Sequence, residues 1–178
     1  MSDEGLSPAL QALYEGEEER ALSLLQPDGK LGPAEAAAFG RLDRLRQLLA
    51  EDPGRANERS PDGFRPLHLA IFAGSFDAAR LLVERGADVE ALSTNERVRV
   101  RPLGTAAFVR SVEATRLLLE AGADVNGKGA GGFAALHSAA QNGDVELARF
   151  LLERGADRTV RNQAGQLPRD LGLADLLD

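Results

Sequence analysis

Apolar positions along this 178-residue chain fall into short helical stripes that recur at a nearly fixed step. Three segments carry the pattern most plainly: Gly74 to Asp88, Arg110 to Asp124 and Gly143 to Asp157. Each places leucines on one side of a helical period (Leu81 and Leu82, Leu117 to Leu119, Leu151 and Leu152) and ends in Gly-Ala-Asp. Upstream of each lies a second, shorter apolar helix: RPLHLA from Arg65, RPLGTA from Arg101 and AALHSA from Ala134. In the first two a proline takes the first helical position, where its missing N–H costs nothing. Gly74 and Gly143 end such helices because glycine tolerates a left-handed cap. From Gly122 to Gly155 the step is 33 residues, and from Gly86 to Gly122 it is 36. Two short helices make too small a core to stand alone, so the period predicts an array of stacked units.

Weaker copies extend the array at both ends. Phe39 to Leu49 and Tyr14 to Leu25 match the second-helix half. Their Gly16 and Gly40 are only 24 residues apart, so the connection between them must be cut short. Gly165 to Asp170 aligns with Gly63 to His68, and a short helix ending at Leu177 is expected to finish the chain. The whole pattern resembles the ankyrin repeat, with its TPLH-like helix start, a glycine between helices and a Gly-Ala-Asp exit.

That resemblance implies an all-α, ankyrin-repeat α-solenoid with short β-hairpin fingers. A flexible N-terminus over residues 1–8 would precede one domain over 9–178. Its repeats would lie near 9–32, 33–59, 60–91, 92–128 and 129–160, with a C-terminal cap at 161–178. The implied function is a non-enzymatic protein–protein interaction module, an adaptor or regulator that grips a partner on its concave face. His68 and His137 stand at the histidine of the motif, and the resemblance gives them a structural role tying finger to helix. Gly104 replaces that histidine in the middle unit, so the tie should be missing there. Arg65 and Arg101 replace the usual threonine.

The extra three residues of the 36-residue step fall in one finger, NERVRVRPLG from Asn95 to Gly104. Arg97, Val98, Arg99, Val100 and Arg101 alternate with period two, which reads as an extended segment with arginines on one face and valines on the other. The chain carries a formal net charge of -7, yet residues 92–128 hold six bases against four acids. By contrast, residues 1–33 hold seven acids and two bases.

Composition narrows the function classes. A hydrophobic share of 43% with 28% charged residues suits a folded soluble protein. No apolar run approaches the ~20 residues that a membrane helix needs, and an acidic start weighs against a secretory signal. With no cysteine there are no disulfides or thiolate metal sites, which fits a cytoplasmic location. The acidic balance argues against nucleic acid. Two histidines leave little for imidazole chemistry, and Glu15 to Glu19 has no second cluster or nucleophile to work with. Catalytic residues, metals and cofactors are therefore not expected. Gly127 to Gly132 satisfies G-x-G-x-x-G, but it does not follow a buried strand, so a finger tip is the better reading.

The resemblance also implies which side chains face a partner. The positions just before the inter-helix glycine give Tyr14, Phe39, Phe72, Phe108, Gln141 and Asn142. The position after the finger glycine gives Phe64, Val100 and Phe133. Arg97, Arg99 and Arg101 would add a basic rim facing an acidic patch of a protein partner. Arg110 would join them, standing where other units have glycine. There it must either remodel the helix end or hold a strained conformation. Two alternatives remain open: a small-molecule or nucleotide site on the Gly127–Gly132 loop, and a self-associating scaffold. A monomer is expected when the protein is free.

Overall fold

In a computed structural model, residues 6–95 and 97–177 are described, and they fold as twelve α-helices and three short 3-10 helices with no strand among them. The helices come in pairs: α1 (Pro8–Tyr14) with α2 (Glu18–Leu24), α3 (Pro33–Ala38) with α4 (Leu42–Glu51), and α5 (Pro66–Phe72) with α6 (Phe76–Glu84). After the irregular finger come α7 (Pro102–Phe108) with α8 (Val112–Glu120), α9 (Ala135–Gln141) with α10 (Val145–Glu153), and α11 (Pro168–Leu171) with α12 (Ala174–Leu177).

Local chemistry explains these boundaries. Proline occupies the start of α1, α3, α5, α7 and α11, where its fixed φ suits the first turn. Ser7, Ser111 and Asp144 accept from backbone N–H groups of the helices that follow them, satisfying donors that would otherwise be orphaned. Gly74 and Gly143 adopt φ of 71° and 63° between paired helices, as their sequence positions predict. Arg110 adopts φ 58° at the corresponding place, so the left-handed turn is kept and not remodelled.

The chain forms two compact units. Residues 6–88 with 94–95 make the first, and residues 89–93 with 97–177 make the second. In the first, α3 packs against α5 and, more lightly, α1, while α4 packs against α6. Leu45, Leu48, Leu67, Ile71 and Leu82 are among its fully buried core side chains. In the second, α9 sits between α7 and α11, and α8 packs against α10 around Leu103, Leu118, Leu136 and Leu147. Alanines at Ala106, Ala107, Ala139 and Ala140 are buried too, letting helices of only seven residues approach closely.

Two expectations need correction. The fingers are not β-hairpins; isolated backbone bonds hold extended loops, and no ladder forms among the described residues. The structured chain also begins before residue 9, since Leu6 packs on the first core cluster, Ser7 caps α1 and Pro8 opens it. The rest of the flexible N-terminus expected over residues 1–8 lies at 1–5, outside the described residues, as does Glu96 in the irregular finger.

Candidate partner-binding face

Three fingers share one register. The N–H of Ser60, Gly129 and Asn162 donates to the carbonyl four residues later, at Phe64, Phe133 and Gln166. In the irregular finger Ser93 N–H donates to Val100, seven residues later, at 2.9 Å. The three extra residues of the 36-residue step are therefore confined between Ser93 and Val100. Buried Ser93 closes the enlarged loop: its hydroxyl donates to Val98 O at 2.7 Å and accepts from Val100 N at 2.9 Å.

The same register pairs position 64 with 68, 100 with 104, and 133 with 137. Phe64 packs its ring 5.8 Å from His68, and Phe133 lies 5.5 Å from His137. In the irregular unit the pair is Val100 and Gly104, and a Cβ on Gly104 would fall 2.6 Å from a Val100 methyl. Val100 has moved into the space of the missing histidine. His137 has the tie expected of it, accepting from Ala134 N at 3.2 Å through Nδ1 and meeting Gln166 O at 3.2 Å through Nε2. Burial, aided by the charge of Lys128, holds its imidazole below the ordinary pKa, with the Gln166 carbonyl opposing.

Val100 and Gly104 leave a cleft of about 230 Å³ between the irregular finger and the Gly127–Gly132 loop. Arg97, Val98, Arg99, Val100 and Arg101 line one side; Gly127, Gly129, Ala130, Phe133 and Ser138 line the other. The two most unusual stretches of the sequence thus meet. Among the described residues the lining holds three arginines and no carboxylate. Arg101 is built into the wall: it pairs with Glu90, donates to the Glu90 carbonyl at 2.9 Å and to Lys128 O at 3.1 Å. Arg65 does the same work in the first unit, bonding Asn57 at 3.3 Å and pairing with Asp88 at 3.6 Å. Arg97 and Arg99 are exposed, and so is Val98, so the strict inward–outward alternation of valine and arginine does not form.

The glycines of the G-x-G-x-x-G stretch also have a local cause. Ala130 N donates to Arg99 O at 2.7 Å, and a Cβ on Gly129 would sit 2.9 Å from that same oxygen. A Cβ on Gly127 would meet Asp124 O at 3.0 Å and the Arg101 side chain at 3.2 Å. Gly131 and Gly132 adopt φ of 68° and 74°. The stretch is glycine-rich because the neighbouring finger lies against it and the tip turns left-handed.

Phe108 lies one helical turn beyond Gly104, on the same face of α7, and is 66% exposed. Asn142, exposed at the end of α9 beside exposed Gln141, donates to the Ala107 and Phe108 carbonyls at 3.2 and 3.5 Å. Arg110 places Nε 3.4 Å from Asp144, the cap of α10, so its side chain has a structural partner.

Tyr14, Phe39, Phe64 and Phe72 gather in the first unit and are all half-buried. The Tyr14 ring meets Phe72 edge-on at 5.4 Å and Phe64 at 6.3 Å, and Phe39 joins the cluster around Leu10, Ala38 and Leu69. Tyr14 donates to Asp62 at 2.5 Å. Burial first, then that bond and the Asp62 charge, raise its phenol far above the usual range. A wider groove in this unit, about 660 Å³, mixes Glu35 and Glu58 with Arg59 and so presents no single sign of charge. The sequence reading missed one aromatic feature. Phe150 lies under both Arg116 and Arg154, each 4.7 Å from its ring centre, a spacing of cation–π contacts on α8 and α10 that helical periodicity could have suggested.

The repeated helix pairs and their finger register are those of a known class, and comparison with known proteins agrees. The ankyrin-repeat family pattern, described as Ankyrin repeats (3 copies), matches residues 2–93 and 92–162. The chain belongs to the ankyrin repeat family. It is similar to Ankyrin repeat domain-containing protein 49 of Homo sapiens and of Bos taurus, each 40% identical over 58 residues. That segment is 33% of this chain and spans only 24% of either relative's length. No helix among the described residues is long and apolar enough to cross a membrane.

Proposed function

We propose that this protein is a non-enzymatic adaptor or regulator, working in the cytoplasm, that binds a protein partner on the face shared by α7, α9 and their fingers. The observation that carries this reading is Phe108, an exposed ring on the helix face that also borders the arginine-lined cleft. Exposed aromatics next to arginine are typical anchors of protein interfaces. Phe108, Gln141 and Asn142 would form the apolar and polar contact area, with Arg97 and Arg99 as its basic edge. Phe39 and Phe72 are already engaged in the first unit, so their contribution would be smaller. The charge on this edge would act mainly on association rate and salt dependence.

Affinity capture from lysate of the source cell tests the reading, using wild type and Phe108→Ser. A protein retained by wild type and lost by the variant supports it; identical capture lists for both contradict it. A nucleotide reading of the Gly127–Gly132 loop is disfavoured by the cleft's size, below the ~300–1,000 Å³ of ordinary small-molecule pockets. A dose-dependent rise in melting temperature with ATP or NAD would revive it.

A further inference from the structure

We infer that the first helix pair, α1 with α2, is a displaceable strap, latched by Tyr14 over an aromatic surface of the first unit. The strap stands on its own geometry, and only the use of the covered surface rests on the interaction-module reading above. Tyr14, Ala38 and Phe72 each stand two residues before a left-handed turn glycine, Gly16, Gly40 and Gly74, at the ends of α1, α3 and α5. Because α3 has only a methyl group at that place, the Tyr14 ring packs on the cluster around Ala38 and meets Phe72 edge-on at 5.4 Å. Its hydroxyl reaches further still, donating to Asp62 in the finger before α5 at 2.5 Å. Asp62 is held for this contact: its carboxylate accepts from the Ser60 hydroxyl, and its carbonyl accepts from Asn95 Nδ2 at 2.9 Å. Phe108, two residues before Arg110, has no such cover and is exposed.

The rest of the docking is slight. α1 packs mainly on α2 and only lightly on α3, whereas α3 and α5 pack closely. Within the pair, the buried side chains are Leu10 and three alanines, Ala9, Ala12 and Ala21, while Leu22 and Leu24 of α2 are exposed. By contrast, α4 alone buries Leu45, Leu48 and Leu49. Apolar area removed from water supplies most of the docking free energy, so the first pair is held less firmly than those that follow. Backbone stitching stops short of it as well. Thr94, Ala130 and Gln163 directly follow Ser93, Gly129 and Asn162, which open their fingers, and each donates its N–H to the finger before. The acceptors are Gly63, Arg99 and Gly131, at 2.9, 2.7 and 2.7 Å. The residue that follows Ser60 is Pro61, which has no N–H to give. A terminal unit with few buried contacts opens at lower free energy than the rest of its array. Opening uncovers Ala38, Phe64 and Phe72 together, an apolar surface that a partner reaches only by displacing Tyr14.

The chain has no cysteine, so a single introduced thiol reports opening without background. Ala38→Cys lies beneath the strap and Ala78→Cys lies on α6, and both alanines are buried, at 3% and 0% exposure. In the full chain under native conditions, dithionitrobenzoate should label Ala38→Cys about tenfold or more faster than Ala78→Cys. Adding Tyr14→Phe, which removes only the hydroxyl, should speed labelling at position 38 about threefold to tenfold and leave position 78 unchanged. Equal rates at the two sites, or a Tyr14→Phe effect that is absent or shared by both, would overturn the strap. Should Ala38→Cys fail to fold, amide hydrogen exchange on wild type and Tyr14→Phe reads the same contrast between α1 with α2 and α5 with α6. Tyr14→Ala should also raise the fluorescence of added anilinonaphthalene sulfonate several-fold; no rise would contradict an aromatic surface beneath the strap. None of these readouts involves a partner. A strap that stays shut therefore leaves the Phe108 face standing, and identical capture by wild type and Phe108→Ser leaves the strap standing.

Discussion

Tyr14, Phe39 and Phe72 in the first unit and Phe108 in the second all lie one or two residues before the turn between paired helices, yet their surroundings are opposite. The first three pack with Phe64 into a half-buried cluster, while Phe108 is two-thirds exposed. What differs is what packs beside each ring. Phe72 meets the edge of the Tyr14 ring, whereas the neighbour of Phe108 ends in Gln141 and Asn142, and Asn142 spends its amide on backbone carbonyls. A repeat position decides which face a side chain leaves from. Its neighbours decide whether the side chain stabilises the fold or remains available to a partner.

The contrast predicts its own largest breaking point. Phe72→Ala or Tyr14→Ala should cost about 2–3 kcal/mol in urea unfolding, somewhat below the range for fully buried aromatics. Phe108→Ala should stay within about 0.5 kcal/mol of wild type. Equal losses at Phe72 and Phe108 would erase the distinction. A second effect lies at Gly104, inside α7. Helix propensity alone would make Gly104→Ala stabilising by about 1 kcal/mol. Because the new Cβ would meet Val100 at 2.6 Å, a net loss of about 1 kcal/mol is expected, and Val100→Ala in the same chain should recover most of it.

The third prediction concerns pH. His137 titrates below its ordinary value in the folded protein, so the unfolded chain binds the proton first as pH falls. Its contribution is therefore fully present above about pH 6.5 and is lost as pH drops below that. The urea midpoint should fall between pH 7.5 and 5.5 by more in wild type than in His137→Gln. The smallest effect belongs to Arg110→Gly. Relief of a left-handed side chain is worth up to ~1 kcal/mol, and the 3.4 Å contact to Asp144, at an exposed arginine, returns a few tenths. A slight net stabilisation should appear in the same denaturant series.

Much of this architecture was legible in the sequence, because Gly86, Gly122 and Gly155 mark a period and the Pro66 and Pro102 starts mark its phase. The place of the three-residue insertion was legible too. Its consequence was not: nothing in RVRVR says that Ser93 closes the loop on both Val98 and Val100. Nor does the sequence tell that Val100 replaces a histidine's bulk at Gly104. Arg101 looked like part of a basic rim and is largely a wall, since its partner Glu90 lies eleven residues upstream and only the fold brings them together. The burial of the aromatic positions depends on ring-to-ring distances between repeats, and a repeat consensus carries no such information.

The most direct measurement is site-specific photocrosslinking with a benzoylphenylalanine placed at position 108 and, separately, at exposed Arg149 on α10. Ultraviolet irradiation in lysate, followed by mass spectrometry, reads out which face is covered. A defined protein crosslinked from position 108 and absent from position 149 is the predicted result. Crosslinking of a partner from position 149 alone would place the interface on the second-helix side and contradict the account.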